Sequence, residues 1–253
     1  MLPIQPSRIT CEGCPLKICI VIPAYNAEDT LGEVFSRIPR EDYHRIIVVD
    51  DGSMDDTAEV AKRYGAEIIR HEYNRGYGGA QKTGYRRALE FGADIVVLLH
   101  ADAQYAPEEM PRLIEAVVGQ DADIVLGSRA LGGEMIKGGM PWIRYVGNRL
   151  LTWIENLALG TGISEFHTGY RVYTANALKA LNFEGYTDKF HFDSEILFDA
   201  KERGLKIVEV PISTTYAGEK SYLNPITYGS QILLLILRYR LAKILPGKQG
   251  EEK

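Results

Sequence analysis

The stretch that decides the fold is ADIVVLLHADAQ, residues 93–104. Its apolar run, Val96 to Leu99, stops abruptly at three polar residues at alternate positions, His100, Asp102 and Gln104. A continuous apolar run of this kind is typical of a strand that is buried on both faces, as in a parallel sheet. The stretch therefore predicts a central strand that ends in side chains able to bind a ligand.

Strand-like and helix-like patterns alternate on both sides of this stretch. The strand-like segments of the first half are 17–26, 45–53, 66–74, 93–104 and 122–129, with segments of helical period between them. This alternation predicts an α/β fold with a mostly parallel sheet and helices on both faces. Beyond residue 130, a glycine-rich loop is expected over 131–142, a helix over 142–160 and an amphipathic helix over 226–244.

Polar residues follow four of the predicted strands. They are Tyr25 and Asn26; Asp50, Asp51 and Ser53; His100, Asp102 and Gln104; Ser128 and Arg129. In open parallel sheets, ligands bind outside the carboxyl ends of the strands, so four polar ends at one edge indicate a site. Helix caps and turns also favour Asp, Asn and Ser, which is the competing interpretation.

The three residues after the central strand fit a divalent cation. On an extended segment, alternate side chains share one side, and carboxylate and amide oxygens suit Mg²⁺ or Mn²⁺. The imidazole of His100 is better suited to Mn²⁺ than to Mg²⁺. The alternative is a capped loop in which Asp102 is only a turn residue.

Two other strand ends carry charges that need partners. The adjacent carboxylates of Asp50 and Asp51 are unfavourable in a buried place unless they meet donors such as those of a base or ribose. Arg129 could hold a phosphate with two hydrogen bonds, although a solvated surface arginine is the alternative. Gly76 is interpreted as a residue that permits a strand-to-helix turn.

Composition excludes some classes of protein. The chain has 253 residues and a net charge of -5, which argues against a general nucleic-acid binder. No signal peptide is recognisable, and the apolar run 232–237 is far shorter than the roughly 20 residues that cross a bilayer, so a cytoplasmic location is expected. Cys11 and Cys14 form half of a zinc motif, but unpaired thiols are favoured.

Five segments of the chain form a recognisable series: IVIPAYNAEDTL (20–31), IIVVDDGSMDDT (46–57), NRGYGGAQKTG (74–84), HADAQYAPEEM (100–110) and VLGSR (125–129). Taken together and in order, they resemble the family 2 glycosyltransferases of the GT-A fold, and in particular the dolichol-phosphate mannosyltransferase-like branch. The resemblance extends from Lys17 to about Leu241. It implies a Rossmann-like, mostly parallel sheet with an acceptor-side C-terminal elaboration.

The resemblance also implies a donor site for a GDP- or UDP-linked sugar and an Mg or Mn ion. Asp102 and Gln104 match the second aspartate and the glutamine of the family's D-x-D-x-Q metal motif, whereas His100 replaces the first aspartate. Arg129 matches an arginine near the diphosphate. The further candidates for the donor are Pro23, Tyr25, Glu28, Asp50, Asp51, Gly76 and Lys220, the last beside Ser221 in a loop that could close over it.

The acceptor is expected to be a polyprenyl or dolichyl phosphate, received by Arg144, Asn148 and Arg149. A saccharide hydroxyl would instead need a base, for which Asp193 and Glu195 are the candidates. A non-catalytic sugar-nucleotide-binding protein stays open because of His100, and a nucleotidyltransferase is a weaker rival because it would carry a glycine-rich, basic loop after the first strand.

The expected organisation is an N-terminal extension (1–16) followed by one glycosyltransferase domain (17–245). Within that domain, 17–130 forms the nucleotide-sugar half, 131–225 the acceptor half and 226–245 the terminal helix. Apolar and basic residues on that helix predict a peripheral position at a membrane surface, near a lipid acceptor. Packing of the same helix on the domain or in a homo-oligomer is the alternative.

Overall fold

A computed structural model describes residues 10–11, 14–40, 43–215 and 224–244, with the backbone alone for 10, 11, 14, 15, 242 and 244. Two short strands, β1 (Thr10–Cys11) and β2 (Cys14–Pro15), pair antiparallel and place Cys11 opposite Cys14. The predicted loop residues Lys220 and Ser221 lie outside the described residues.

The main sheet has the order β5-β4-β3-β6-β8-β7-β9. Its strands are β3 (Ile18–Ala24), β4 (Arg45–Asp50), β5 (Glu67–Arg70), β6 (Ile95–Leu98), β7 (Ile124–Ser128), β8 (Arg171–Thr174) and β9 (Ile207–Pro211). β8 runs antiparallel to both neighbours, and every other pair is parallel. The predicted mostly parallel sheet is therefore confirmed.

Helices cover both faces of this sheet. They are α1 (Glu28–Arg37), α2 (Thr57–Arg63), α3 (Tyr77–Phe91), α4 (Met110–Gly119), α5 (Glu134–Lys137), α6 (Trp142–Leu159), α7 (Ala175–Ala180), α8 (Phe192–Glu202) and α9 (Pro225–Ile244). Short 3₁₀ turns occupy Pro107–Glu109 and Phe183–Gly185. The segment 131–142, predicted as a loop, contains α5, so that prediction was wrong in part.

Alternation along β3 explains why both faces are covered. Ile20 and Ile22 join one hydrophobic cluster with α1 and α4, whereas Cys19 and Val21 join a second cluster with α3 and α8. A strand with apolar residues on both sides is stable only between two layers of helices. The apolar runs in the sequence thus determine the three-layer arrangement.

The middle of α3 approaches β3 closely. A Cβ on Gly84 would lie 2.2 Å from Cγ1 of Val21, so this close packing requires glycine. Tyr77, the first residue of α3, lies at the edge where the strands end. The ends of β3, β4, β6 and β7 share that edge because these strands run in one direction.

No helix within the described ranges combines the length and the apolar character that a bilayer crossing requires.

Candidate active site

A large cleft of about 1130 Å³ opens at the carboxyl edge of the sheet. Loops after β3, β6 and β7 form one side, and the first turns of α6 and α9 form the other. The predicted site residues that line it are Pro23, Tyr25, Glu28, Asp51, Gly76, His100, Asp102, Gln104, Arg129, Arg144, Asn148 and Asp193. One concave space therefore brings the predicted donor, metal and acceptor residues together.

Three predicted site residues make their contacts elsewhere. The buried Asp50 accepts from the Ser53 amide at 2.9 Å, and its other oxygen lies 3.3 Å from Arg70 Nε, close enough for an ion pair but without hydrogen-bond geometry. Arg149 donates to the carbonyl of Ser164 at 2.6 Å. Glu195 accepts from the Thr187 amide at 2.6 Å and lines a separate groove of about 400 Å³.

Asp51 organises the loop that leads into α3. Its carboxylate accepts from the amides of Arg75 at 2.8 Å and Gly76 at 2.9 Å, and one oxygen is 2.6 Å from His71 Nδ1. Gly76 has a φ of 94°, and a Cβ there would lie 2.5 Å from the Asp188 carbonyl oxygen. The predicted need for glycine is explained by both observations.

The segment after β6 is a turn, not the extended segment predicted from alternation. Ala103 has a φ of 58°, in the left-handed region, and Asp102 accepts from the Gln104 amide at 3.1 Å. Asp102 is therefore a turn residue, and the turn directs it into the cleft together with His100 and Gln104. The interpretation of Asp102 as a turn residue and its interpretation as a metal ligand are therefore compatible.

A hydrogen-bonded chain fixes the imidazole of His100. The Tyr77 hydroxyl donates to Asp193 Oδ2 at 2.9 Å, and the Tyr77 hydroxyl oxygen is 2.8 Å from His100 Nε2. Because the hydroxyl proton goes to the carboxylate, we assign a proton to Nε2 and a lone pair to Nδ1. Burial lowers the pKa of His100, and the charge of Asp102 opposes this only in part.

The carboxylate of Asp193 is already engaged within the protein. Besides the bond from Tyr77, Asp193 Oδ1 accepts from Gln81 Nε2 at 3.2 Å, and Arg171 Nη1 lies 3.8 Å from Oδ1. Burial and the charge of Asp193 raise the pKa of Tyr77 well above its usual range, so this hydroxyl keeps its proton. Asp193 thus anchors the series of hydrogen bonds that runs through Tyr77 to His100.

Arg129 is held by a buried carboxylate. Glu165, fully buried, accepts from Arg129 Nε at 2.7 Å and from the Arg129 amide at 2.8 Å, and it also pairs with Nη2. The guanidinium also donates to the His167 carbonyl at 3.1 Å and lies over the Tyr105 ring. A buried ion pair of this geometry holds the arginine in one orientation at the cleft.

The acceptor side of the cleft contains polar groups from α6 and α9. The Asn148 amide oxygen is buried and accepts no hydrogen bond within the described residues, as is typical of a group that water or a ligand completes. His167 lies between Tyr228, 2.7 Å from Nδ1, and Glu155, 3.0 Å from Nε2. This network joins the first turn of α9 to α6.

The residues after β6 have suitable chemistry for a divalent cation. Asp102 is half-buried, and one of its oxygens accepts no hydrogen bond from a described residue; the Gln104 side chain and His100 Nδ1 are likewise unengaged there. Within the described ranges, no three His, Cys, Asp or Glu side chains are arranged to hold a metal. Mg²⁺ commonly takes only one or two carboxylates and completes its shell with phosphates and water.

Sequence reasoning missed Tyr77, Glu165 and His167. Tyr77 and His167 line the cleft, and Glu165 orients Arg129. Their partners are far away in the chain, for example 116 residues from Tyr77 to Asp193. Local patterns carry no signal of such contacts.

The sheet order and the site at its edge define the class: this is a glycosyltransferase of the GT-A fold. Glucosyl-3-phosphoglycerate synthase from Mycobacterium tuberculosis, solved with Mn²⁺ and UDP-glucose, shares this fold with a TM-score of 0.68 at 22% identity, over 89% of this chain and 79% of that one. Residues 19–181 match the model of glycosyl transferase family 2. The chain belongs to glycosyl transferase family 2.

Two relatives extend this similarity over most of the chain. The UDP-N-acetylglucosamine–dolichyl-phosphate N-acetylglucosaminyltransferase of Methanococcus voltae is 33% identical over 90% of this chain and 98% of its own. The undecaprenyl-phosphate mannosyltransferase of Micrococcus luteus is 34% identical over 78% of this chain and 83% of its own. The predicted resemblance is therefore confirmed.

Proposed function

We propose that this protein transfers a sugar, with inversion, from a GDP- or UDP-sugar to a polyprenyl or dolichyl phosphate at a membrane surface. The observation that carries the proposal is the single cleft that joins the turn after β6 to the first turn of α6. The residues predicted to bind the metal and the diphosphate and the residues predicted to bind the acceptor thus line the same space.

On the donor side, the loop organised by Asp51 and the residues Pro23, Tyr25 and Glu28 would bind the nucleoside. Asp102 and Gln104, with His100 Nδ1 as a third ligand, would hold Mg²⁺ or Mn²⁺. When bound, that cation supplies positive charge to offset the charge on the departing nucleoside diphosphate. Arg129, oriented by Glu165, would stabilise the same leaving group.

On the acceptor side, Arg144 and Asn148 would receive a phosphate, since they are four residues apart on one face of α6. A phosphate oxygen is already anionic and attacks without a strong base. This suits the site because Asp193 is engaged by Tyr77 and Gln81, and Glu195 lies in the separate groove. A hydroxyl acceptor would require one of these carboxylates to accept a proton.

The names of the two relatives support a lipid-phosphate acceptor. They name dolichyl phosphate and undecaprenyl phosphate as the acceptors, while the transferred sugars differ. We therefore propose the acceptor class for this chain and leave the choice between GDP and UDP to experiment.

The test is a transfer assay with Mn²⁺ or Mg²⁺, in which UDP- and GDP-sugars are each offered with polyprenyl phosphate, the matching polyprenol or a soluble saccharide. We expect a glycolipid with the phosphate and none with the polyprenol. Transfer to the saccharide alone would contradict the acceptor class. Donor binding without transfer to any acceptor would support a non-catalytic binding protein.

A further inference from the structure

Exposed apolar side chains are concentrated on two neighbouring helices beside the cleft. On α6 they recur three and four residues apart, which places them on one face of the helix. The set, which we call the apolar face, is Trp142, Ile143, Val146, Leu150, Trp153 and Leu157 on α6, and Ile226, Leu233, Leu234, Leu237 and Leu241 on α9. Extended exposed apolar surfaces of this kind mark interaction sites.

The apolar face begins at the mouth of the cleft. Arg144 and Asn148 of α6 and Tyr228 of α9 all line the cleft, so both helices start there. Farther along, Arg240 Nη2 of α9 donates to the Leu157 carbonyl of α6 at 2.6 Å. The two helices therefore contact each other, and both extend from the acceptor side of the cleft.

The same two helices are basic in a chain whose net charge is -5. Their exposed cations are Arg144, Arg149, Arg238, Arg240 and Lys243. α9 contains no acidic residue, and the single acid of α6, Glu155, is fully buried. Lys243 pairs with Glu202, whereas the four arginines pair with no carboxylate in the described part of the chain.

Charge and composition favour one occupant. A second copy of this chain would bring the same arginines to the contact, and like charges would oppose such a dimer. An anionic lipid surface accepts both apolar and basic side chains. Both tryptophans of the chain, Trp142 and Trp153, are on this face at 67% and 62% exposure, and tryptophan is enriched at membrane–water interfaces.

We propose that the apolar face docks on an anionic lipid bilayer, so that a lipid phosphate enters the cleft directly from the bilayer beside Arg144. The route of entry rests on the proposed function, whereas docking itself needs no substrate. The surface thus consists of α6 and α9 together, where the sequence pattern indicated the terminal helix alone.

The test uses the two tryptophans as reporters in the full chain. We expect their emission to move to shorter wavelength with vesicles of phosphatidylcholine and phosphatidylglycerol, and to return as salt screens the charges. No change with these vesicles would overturn the proposal, as would an equal change with phosphatidylcholine alone. A stable dimer whose tryptophans are already protected from a soluble quencher would also overturn it.

A double variant, Leu157→Glu with Leu237→Glu, removes apolar contact and keeps both reporters. We expect its partition to anionic vesicles to fall by at least about tenfold. Val118→Glu, at an exposed position of α4, is the matched control and should bind like the wild type. Equal binding by the double variant would contradict the proposal.

Transfer to a short, water-soluble polyprenyl phosphate without vesicles separates the two proposals. Leu157 and Leu237 do not line the cleft, so the double variant should match the wild type there. Vesicle binding by a wild-type protein that transfers no sugar would refute the proposed function and leave the docking surface intact. Transfer without vesicle binding would refute the docking surface alone.

Discussion

The Asp193–Tyr77–His100 chain gives the turn after β6 a property that His100 alone would lack. An imidazole that is free to rotate can present either nitrogen, whereas the hydrogen bond from Nε2 to Tyr77 leaves Nδ1 as the available ligand. Outer contacts of this kind orient the ligands of metal sites.

Tyr77→Phe should weaken Mn²⁺ binding while the fold persists. Removing the hydroxyl releases His100 from Asp193, and loss of such a contact typically lowers metal affinity about 10–100-fold. Titration of Mn²⁺ by electron paramagnetic resonance, with UDP or GDP present, measures this directly. Tyr64→Phe, at a half-exposed ring stacked on Phe35, is the control. Unchanged Mn²⁺ affinity in Tyr77→Phe would show that His100 is not a ligand.

At the scale of elements, the packing of α3 on β3 positions the donor side of the site. Gly84→Ala would force a methyl group against Val21, and overpacking of this kind costs about 1–3 kcal/mol. Urea denaturation should show that loss in the free energy of unfolding. Gly229→Ala, in α9 with open space around it, should change stability by less than about 1 kcal/mol in either direction. Equal effects of the two substitutions would contradict the close approach of α3.

The sequence was a good guide to those elements whose signal is local. The apolar runs predicted β3, β4, β6 and β7, and the polar residues after them predicted the edge where the cleft opens. The antiparallel β8 between β6 and β7 could not be foreseen, because strand order depends on contacts between distant segments. The turn at Ala103 was missed since alternation assumes an extended backbone. The bond between Glu165 and Arg129 likewise exists only in the folded chain.

At the scale of the whole molecule, Cys19 reports on global unfolding. It is fully buried in β3, and burial raises the pKa of its thiol from 9.0 to about 12. In a Cys11→Ser, Cys14→Ser variant, a thiol reagent at pH 8 should therefore modify Cys19 no faster than the protein unfolds. Because the pKa of the Cys19 thiol is higher in the native state than in the unfolded state, the contribution of this thiol to stability is fully present below the pKa of the unfolded state. That contribution is lost as the pH rises toward 12. Rapid modification under native conditions would show that the central strand is accessible.

The distribution of charge is also a property of the whole molecule. In a chain of net charge -5, four exposed arginines lie on α6 and α9, whose first turns line the cleft, and the proposed membrane docking requires such a distribution. The proposed docking surface and the predicted acceptor residues Arg144 and Asn148 thus share α6.

The most direct test of catalysis at the turn after β6 is the rate of metal-dependent sugar transfer to polyprenyl phosphate by Asp102→Asn. The substitution keeps the size of the side chain and removes the charge that would face the cation, so we predict a loss of at least about 100-fold. Asp121→Asn, outside the cleft at a φ of 51° that asparagine tolerates, should retain the wild-type rate. Wild-type transfer by Asp102→Asn would contradict the assignment of the turn after β6 as the catalytic centre.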